Sequence, residues 1–383
     1  MKIEAYSPTI KRKEMDAVLT AMVEDKIGPG ERSRLLIQTA KEQLGFEYAL
    51  ALRSPATALH FALKALGLQQ GQAVVVSALS PLYYFHVIND LGLKPLFADV
   101  PDGNPCMSVA TIENAISQKD EGTDVRAIVL HHTLGFLPDA AAITQLGLLV
   151  IEDISQSYGT YTEEAEGNAG DDSGEEGEKP GAQSVSHNVA QDAARSAKHY
   201  ALHGTFAILG LEERDMLTSG GGALLFAMNR RDAGVLRNLA AGAAPIPNEY
   251  CLADINAALA VVQFKEFPKN IQRRAEIAAG YNQSSLSGRH KRFVPIQSGF
   301  AYNNYAFPLV LETGQKDVAA YARKKEIIIE NAFEQSLAGA GITQAEQCPV
   351  AHSYALRTVL FPLYPRLRAA EAQRVSKLIG TLP

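Results

Sequence analysis

The sequence predicts an α/β fold: a mostly parallel, mixed sheet between helices, followed by a smaller C-terminal α+β domain. Three observations predict it. Short apolar runs alternate with helical-period segments from residue 48 to residue 152. Those runs are continuous and do not alternate apolar with polar, as expected when helices cover both faces of a sheet. Near residue 285 the rhythm changes, and a chain of 383 residues suits one large and one smaller domain, here 1–284 and 285–383.

The elements follow in order. Met15, Val18, Leu19 and Met22 recur at helical spacing, and Lys26 to Gly30 (KIGPG) ends that helix. A second helix spans about Glu31 to Leu44 and stops at Gly45. Tyr48 to Arg53 is a strand. Ser54 is a natural N-cap and Pro55 fits the first helical position; Leu59, Ala62, Leu63 and Leu66 form the buried stripe before Gly67. Strands are expected at Ala73–Val76, Pro95–Asp99, Arg126–His131 and Leu148–Glu152, with helices at Pro81–Asp90, Val109–Ser117 and Asp139–Leu146.

Thr162 to Gln183 is rich in Gly, Glu, Asp and Ser, and reads as a mobile acidic insertion with little to bury. Two strands, Phe206–Leu211 and Ala223–Met228, flank the glycines of LTSGGGALLF. Ile255, Ala258, Leu259 and Val262 mark one helix, and a separate one is expected from about Lys269 to Tyr281. The small domain then reads as a strand (Tyr305–Leu311), a helix (Val318–Lys325), a strand (Ile327–Ile329) and a final helix (Ala369–Ile379).

Composition excludes several classes. No apolar run approaches the ~20 residues of a membrane helix, and MKIEAYSPTIKRKEMD lacks the apolar core of a signal peptide. Three scattered cysteines, Cys106, Cys251 and Cys348, suit reduced thiols in a cytoplasmic protein. Eight acidic residues and no basic ones fall in 163–178, more than the whole net charge of −6, so the rest of the chain is close to neutral. No Arg/Lys stripe interleaved with aromatics points to nucleic acid. P-loop, G-x-G-x-x-G and Ser/His/Asp nucleophile signatures are absent from the sequence.

Several residues are placed to meet a ligand. Gly220 to Gly222 bring backbone close to a neighbour before a strand. Asp153 ends a buried strand, where open parallel sheets bind ligands; it either faces a ligand or caps the next turn. Ser54 opens a helix whose free N–H groups either bind phosphate or are simply capped. His131 and His132 are adjacent at a strand end, so they point to opposite faces and one of them is packing.

Taken together, six segments in order resemble the DegT/StrS-type sugar aminotransferases, pyridoxal-phosphate enzymes of fold type I. They are SPATALHFALKALGLQQGQAVVVSAL, VRAIVLHHTLGFLPDAAAI, LLVIEDISQSYGT, LTSGGGALLF, EYCLADINAALAVVQFKEFPKNIQRRAEIAAGY and VLFPLYPRL. The resemblance implies pyridoxal phosphate as cofactor. It gives Asp153 the pyridine nitrogen and Gln156 the neighbouring ring oxygen, and places phosphate contacts at Ser54 and Ala56. Tyr83 or Tyr84 would stand in for an aromatic over the ring, since the aligned position falls near Pro81. The lysine that carries the cofactor maps to Arg214 or Asp215, and no lysine occurs from His199 to Gln263. An arginine stays protonated and a carboxylate is no amine, so no catalytic residue is assigned. The strand segment AILGL lacks the family's phosphate serine, and Glu249 aligns with its cross-dimer Asn, one residue after Asn248.

The resemblance implies a homodimer through the helices from about Asp254 to Tyr281, and a nucleotide-sugar ligand. It leaves three expectations: a homologue degenerate for transamination that binds a nucleotide sugar, a cofactor-dependent sugar aminotransferase or dehydratase without a lysine anchor, or a structural partner in polysaccharide biosynthesis.

Overall fold

Strands that are apolar along their whole length fold only where both faces are covered, and that rule orders the large sheet. A computed structural model describes residues 2–162, 202–242, 244–286, 288–295, 300–312 and 314–383. The sheet's strands are β1 (Tyr48–Leu52), β2 (Ala73–Ser77), β3 (Lys94–Ala98), β4 (Val125–His131), β5 (Leu149–Asp153), β7 (Phe206–Gly210) and β8 (Ala223–Ala227). Their spatial order is β1-β8-β7-β5-β4-β2-β3. Neighbours from β7 to β3 are parallel, while β8 runs antiparallel to both β7 and β1. The fully buried strands β2, β7 and β8 lie inside, and the partly exposed β1 and β3 lie at the edges.

Successive residues serve opposite layers. Val74, Val76, Val129 and Ile208 pack with α3 (Pro55–Ala65), α4 (Tyr83–Asp90) and α7 (Arg230–Ala241). Val75, Ile128, Leu130 and Val150 face α5 (Val109–Ser117) and α6 (Ala140–Thr144). Further along the same face, Ala207, Leu209, Leu224 and Phe226 meet α2 (Glu31–Leu44) and α8 (Asp254–Ser285).

The two helices expected between Ile255 and Tyr281 are one, α8, running through Pro268. A proline inside a helix costs about 3 kcal/mol. Phe264, Phe267 and Ile271, all buried in one cluster, hold both sides of it in place, so packing outweighs the missing N–H. At its start Asp254 is buried and accepts from the N–H groups of Gly30, Arg32 and Ser33, each at 2.9 Å, and from Ser33 Oγ at 2.8 Å. A residue 221 positions away thus caps α2, whose own N-cap, Gly30, has no side chain.

A second, three-stranded antiparallel sheet has the order β10-β12-β11: β10 (Phe307–Val310), β12 (Thr358–Phe361) and β11 (Glu330–Asn331). Its core includes Ile277, Ala278 and Tyr281 from the end of α8, with α9 (Gln315–Lys324) and α11 (Ala369–Ile379) on it. The strand expected at Ile327–Ile329 falls one step later, at β11. Ile327 instead bridges to Ile3 in parallel.

Two further helices lie outside the expectations from the sequence. In α7 only Ala233 and Leu236 are buried, and α10 (Pro349–Arg357) is three turns or fewer in length. A short ribbon pairs β6 (Tyr161–Thr162) with β9 (Phe300–Ala301). The acidic insertion expected at 162–183 lies outside the described residues from 163 onward. Among the described residues no helix is long and apolar enough to cross a membrane, and no group of three or more His, Cys, Asp or Glu is placed to hold a metal.

Candidate active site

The carboxyl ends of the parallel strands converge as the strand registers require. His131, the last residue of β4, pairs with Asp153, the last of β5, and Asp153 pairs with Ile208 of β7. Beyond these ends lies a cleft of about 650 Å³. One wall carries His131, Gln156, Arg214 and Asp215; the facing wall is the segment from Ile329 to Ser336, which begins with β11.

Asp153 is buried and its carboxylate is filled by the protein itself. Oδ2 accepts from Tyr84 Oη at 2.7 Å and Tyr83 Oη at 3.0 Å. Oδ1 accepts from the Ser155 N–H at 3.0 Å and from Ser155 Oγ. Both tyrosines come from the first turn of α4, which follows β2 directly, so i and i+1 meet one acceptor from two sides. Their rings sit edge to face, 4.9 Å apart. Burial, then the Asp153 charge, holds both phenols well above their usual pKa, so they act as donors.

Asp215 lies where the loop after β7 folds back. It accepts from the Glu212 N–H at 2.8 Å and stands against Gly210, where Ser155 is the other neighbour. Burial, reinforced by the negative charges of Asp153 and Glu212, pushes its carboxyl up to about 8. His131 moves the other way: burial lowers its imidazole to about 4, against the pull of Asp153. Near neutral pH the cleft therefore presents a protonated carboxyl and a neutral imidazole. The neighbouring His132 turns to the opposite side, with Nε2 3.3 Å from Glu152 Oε2 and Nδ1 2.9 Å from Ser157 Oγ. All three are buried, and Glu152 also accepts from the N–H groups of His203 and Gly204. That chain anchors the backbone entering β7.

Arg214 reaches across the cleft mouth and pairs with Glu330 of β11 in bidentate fashion, at 2.5 and 3.0 Å. Gln156 accepts from the Leu134 N–H at 2.6 Å, while its backbone carbonyl accepts from Asn303 Nδ2. Leu134 is held at φ +56°, a left-handed conformation that costs a non-glycine residue of order 1 kcal/mol. Gly135 beside it, at φ +83°, has Asn303 Oδ1 2.6 Å from where a Cβ would stand. The glycines of the loop are also left-handed, at φ +71°, +138° and +129° for Gly220, Gly221 and Gly222. Leu252 packs against Gly222, 2.5 Å from a notional Cβ. The close neighbour is thus a core leucine, not a ligand.

The structure brings Asp153, Gln156, Tyr83, Arg214 and Asp215 together; Ser54, the N-cap of α3, and Ala56 in its first turn do not line the cleft, though Ala56 packs on the same core as Tyr83. Ser54 Oγ accepts from the Thr57 N–H at 3.1 Å, an ordinary cap. Asn248 and Glu249 are exposed in a single-turn 3₁₀ segment. Sequence reasoning missed Glu330 and Tyr305, which line the cleft; only the packing of distant segments puts them there.

Pyridoxal phosphate needs an amine for its aldehyde, a free carboxylate for its ring nitrogen and donors for its phosphate. No lysine lines the cleft among the described residues, both Asp153 oxygens are taken, and β7 offers no hydroxyl. The described residues do not fit the cofactor.

Comparison with known proteins gives one family. The model of the DegT/DnrJ/EryC1/StrS aminotransferase family matches residues 8–174 and 227–379. Among solved structures, the aminotransferase TlmJ from Streptoalloteichus hindustanus is 18% identical, with a TM-score of 0.79 over 98% of this chain and 97% of that one. A family aminotransferase from Brucella abortus is 20% identical, with a TM-score of 0.77 over 96% and 94%. A GDP-4-keto-6-deoxymannose-3-dehydratase with bound GDP-perosamine is 13% identical, with a TM-score of 0.77 over 98% and 100%. At these identities the structures speak for the fold.

Proposed function

Because the chain belongs to the DegT/DnrJ/EryC1/StrS aminotransferase family, we propose that it is a member degenerate for transamination that binds a nucleotide sugar or related ligand in the cleft. The observation that carries this reading is Asp153, whose carboxylate is taken by Tyr83, Tyr84 and Ser155. A ring nitrogen would have to displace two phenols, one of them, Tyr84, fully buried. The paired Arg214 and the protonated Asp215 supply no amine. Both walls of the cleft carry polar side chains among apolar ones, as suits a sugar ring with its hydroxyl groups, and the solved dehydratase of the same fold holds GDP-perosamine.

The alternative is a pyridoxal- or pyridoxamine-phosphate-dependent sugar aminotransferase or dehydratase that holds its cofactor without a lysine. Its support is the family itself. Titrating purified protein with pyridoxal phosphate separates the two: a saturable absorbance change supports the alternative. No such change, with a rise in Tm on adding UDP- or GDP-linked sugars, supports the degenerate binder.

We further propose a homodimer in the cytoplasm. α8 is largely covered within the chain, with buried residues along its length. An exposed apolar stripe lies on α1 (Arg12–Val23) and just beyond it, where Met15, Leu19, Met22, Val23 and Ile27 are each more than half exposed. A second copy would cover this stripe. Light scattering behind size exclusion tests it, and a clean monomer ends the proposal. The three cysteines are free, as suits reducing surroundings.

A further inference from the structure

Beside the cleft lies a second compartment of about 340 Å³, within the range of small-molecule sites. Leu134 and Tyr305 line both spaces and form the wall between them. We propose that this compartment binds a flat aromatic ring carrying a negative charge and a hydrogen-bond donor.

Three features specify that chemistry. Phe136, Phe293 and Tyr302 supply an aromatic lining. Phe136 is tilted against Tyr302 at 5.0 Å and edge-on to Phe293 at 5.8 Å. Edges and faces are therefore both on offer to an inserted ring.

Arg292 supplies the positive charge. Its guanidinium stands 5.4 Å from the Phe307 ring centroid, and no carboxylate pairs with it among the described residues. Its backbone is pinned on both sides. Lys291 exchanges N–H···O bonds with Val310 at 3.0 and 2.8 Å, and the Val294 N–H donates to the Gly103 carbonyl at 2.7 Å. The main chain that carries Arg292 is thus fixed beside the compartment, its guanidinium lies over Phe307, and the planar fork suits a carboxylate or phosphate.

Asn282 supplies an acceptor. Its Oδ1 is buried without a hydrogen-bond partner among the described residues, a costly state that a ligand N–H or O–H would relieve. Backbone strain points to the same place. Leu134 at φ +56° and Asn304 at φ +51° both line the compartment, and such residues cluster at ligand sites. The inference does not depend on the cleft binding a sugar.

An aryl acid and a nucleotide share this chemistry, so two probes are titrated separately into the full chain by calorimetry: 4-hydroxybenzoate and uridine 5′-monophosphate. At least one is expected to bind. Arg292→Leu should weaken it about tenfold or more, since a charge-assisted contact is lost, and Tyr302→Ala should weaken it as well. Arg292→Lys should keep part of the affinity. Arg214→Gln, in the cleft, should change it by less than about twofold. Binding by one probe only assigns the source. Equal losses in the Arg292 and Arg214 variants, or no heat from either probe at millimolar concentration, overturns the proposal. Arg292 lies at the surface, and an unchanged Tm checks that its variants fold.

Discussion

The Tyr84 hydroxyl donates to Oδ2 of Asp153 at 2.7 Å, and both groups are buried. The bond closes the strand-end carboxylate that the fold would otherwise offer to a ligand. Tyr84→Phe leaves that oxygen with Tyr83 alone. The expected loss is about 1–3 kcal/mol, as for a buried bond to a charged group, read as a lower urea midpoint at unchanged slope. An unaltered midpoint would mean the bond does not hold the pocket.

Supplying the amine alone should not restore cofactor chemistry. Arg214→Lys gives up the bidentate geometry of the pair with Glu330 and places a primary amine at the cleft mouth. With Asp153 still filled, no saturable absorbance change on adding pyridoxal phosphate is expected. A borohydride-trapped adduct mapped by mass spectrometry to position 214 would contradict this.

Asp215 gives the folded protein a pH signature. Its carboxyl rises from 3.8 to about 8 on folding, so between those values the folded state binds more protons than the unfolded one. Its stabilising contribution is full below the lower value and is lost as pH rises through the upper one. His131 has the opposite slope, confined between about 4 and 6.5. Above 6.5 Asp215 therefore acts without it. Wild type should lose Tm from pH 6.5 to 8.5 (roughly the window the two shifts define) and Asp215→Asn should flatten that loss. Parallel profiles for the two proteins would refute the shift.

Asp254 joins two segments far apart in sequence by capping α2 from the start of α8. Asp254→Ala should cost about 2–4 kcal/mol, more than an ordinary cap, because several buried donors lose their acceptor together. Asp254→Asn keeps one acceptor oxygen and should cost less. Denaturant unfolding of the two variants checks the order.

Legibility followed the range of the interaction that decides each feature. Ser54 as N-cap and Pro55 at the first helical position are local matters, and both hold in α3. Pro268 misled: as a local breaker it splits a helix, yet α8 continues because Phe264, Phe267 and Ile271 are locked in a shared core. α7 is legible in principle, since Ala233, Leu236 and Ala240 recur at helical spacing behind the N-cap Asn229.

The sequence by itself determined the layered α/β fold, since continuous apolar runs admit no other burial, and it carried the family in six ordered segments. It also determined that no lysine stands between His199 and Gln263. Only the tertiary structure decided what became of the cofactor-facing carboxylate. Whether Asp153 met a ligand or a neighbour depended on where α4 sets its first turn, 70 residues earlier in the chain. Likewise Arg214 met Glu330 from 116 residues away. Such pairings are fixed by the packing of whole elements, and no local pattern encodes them.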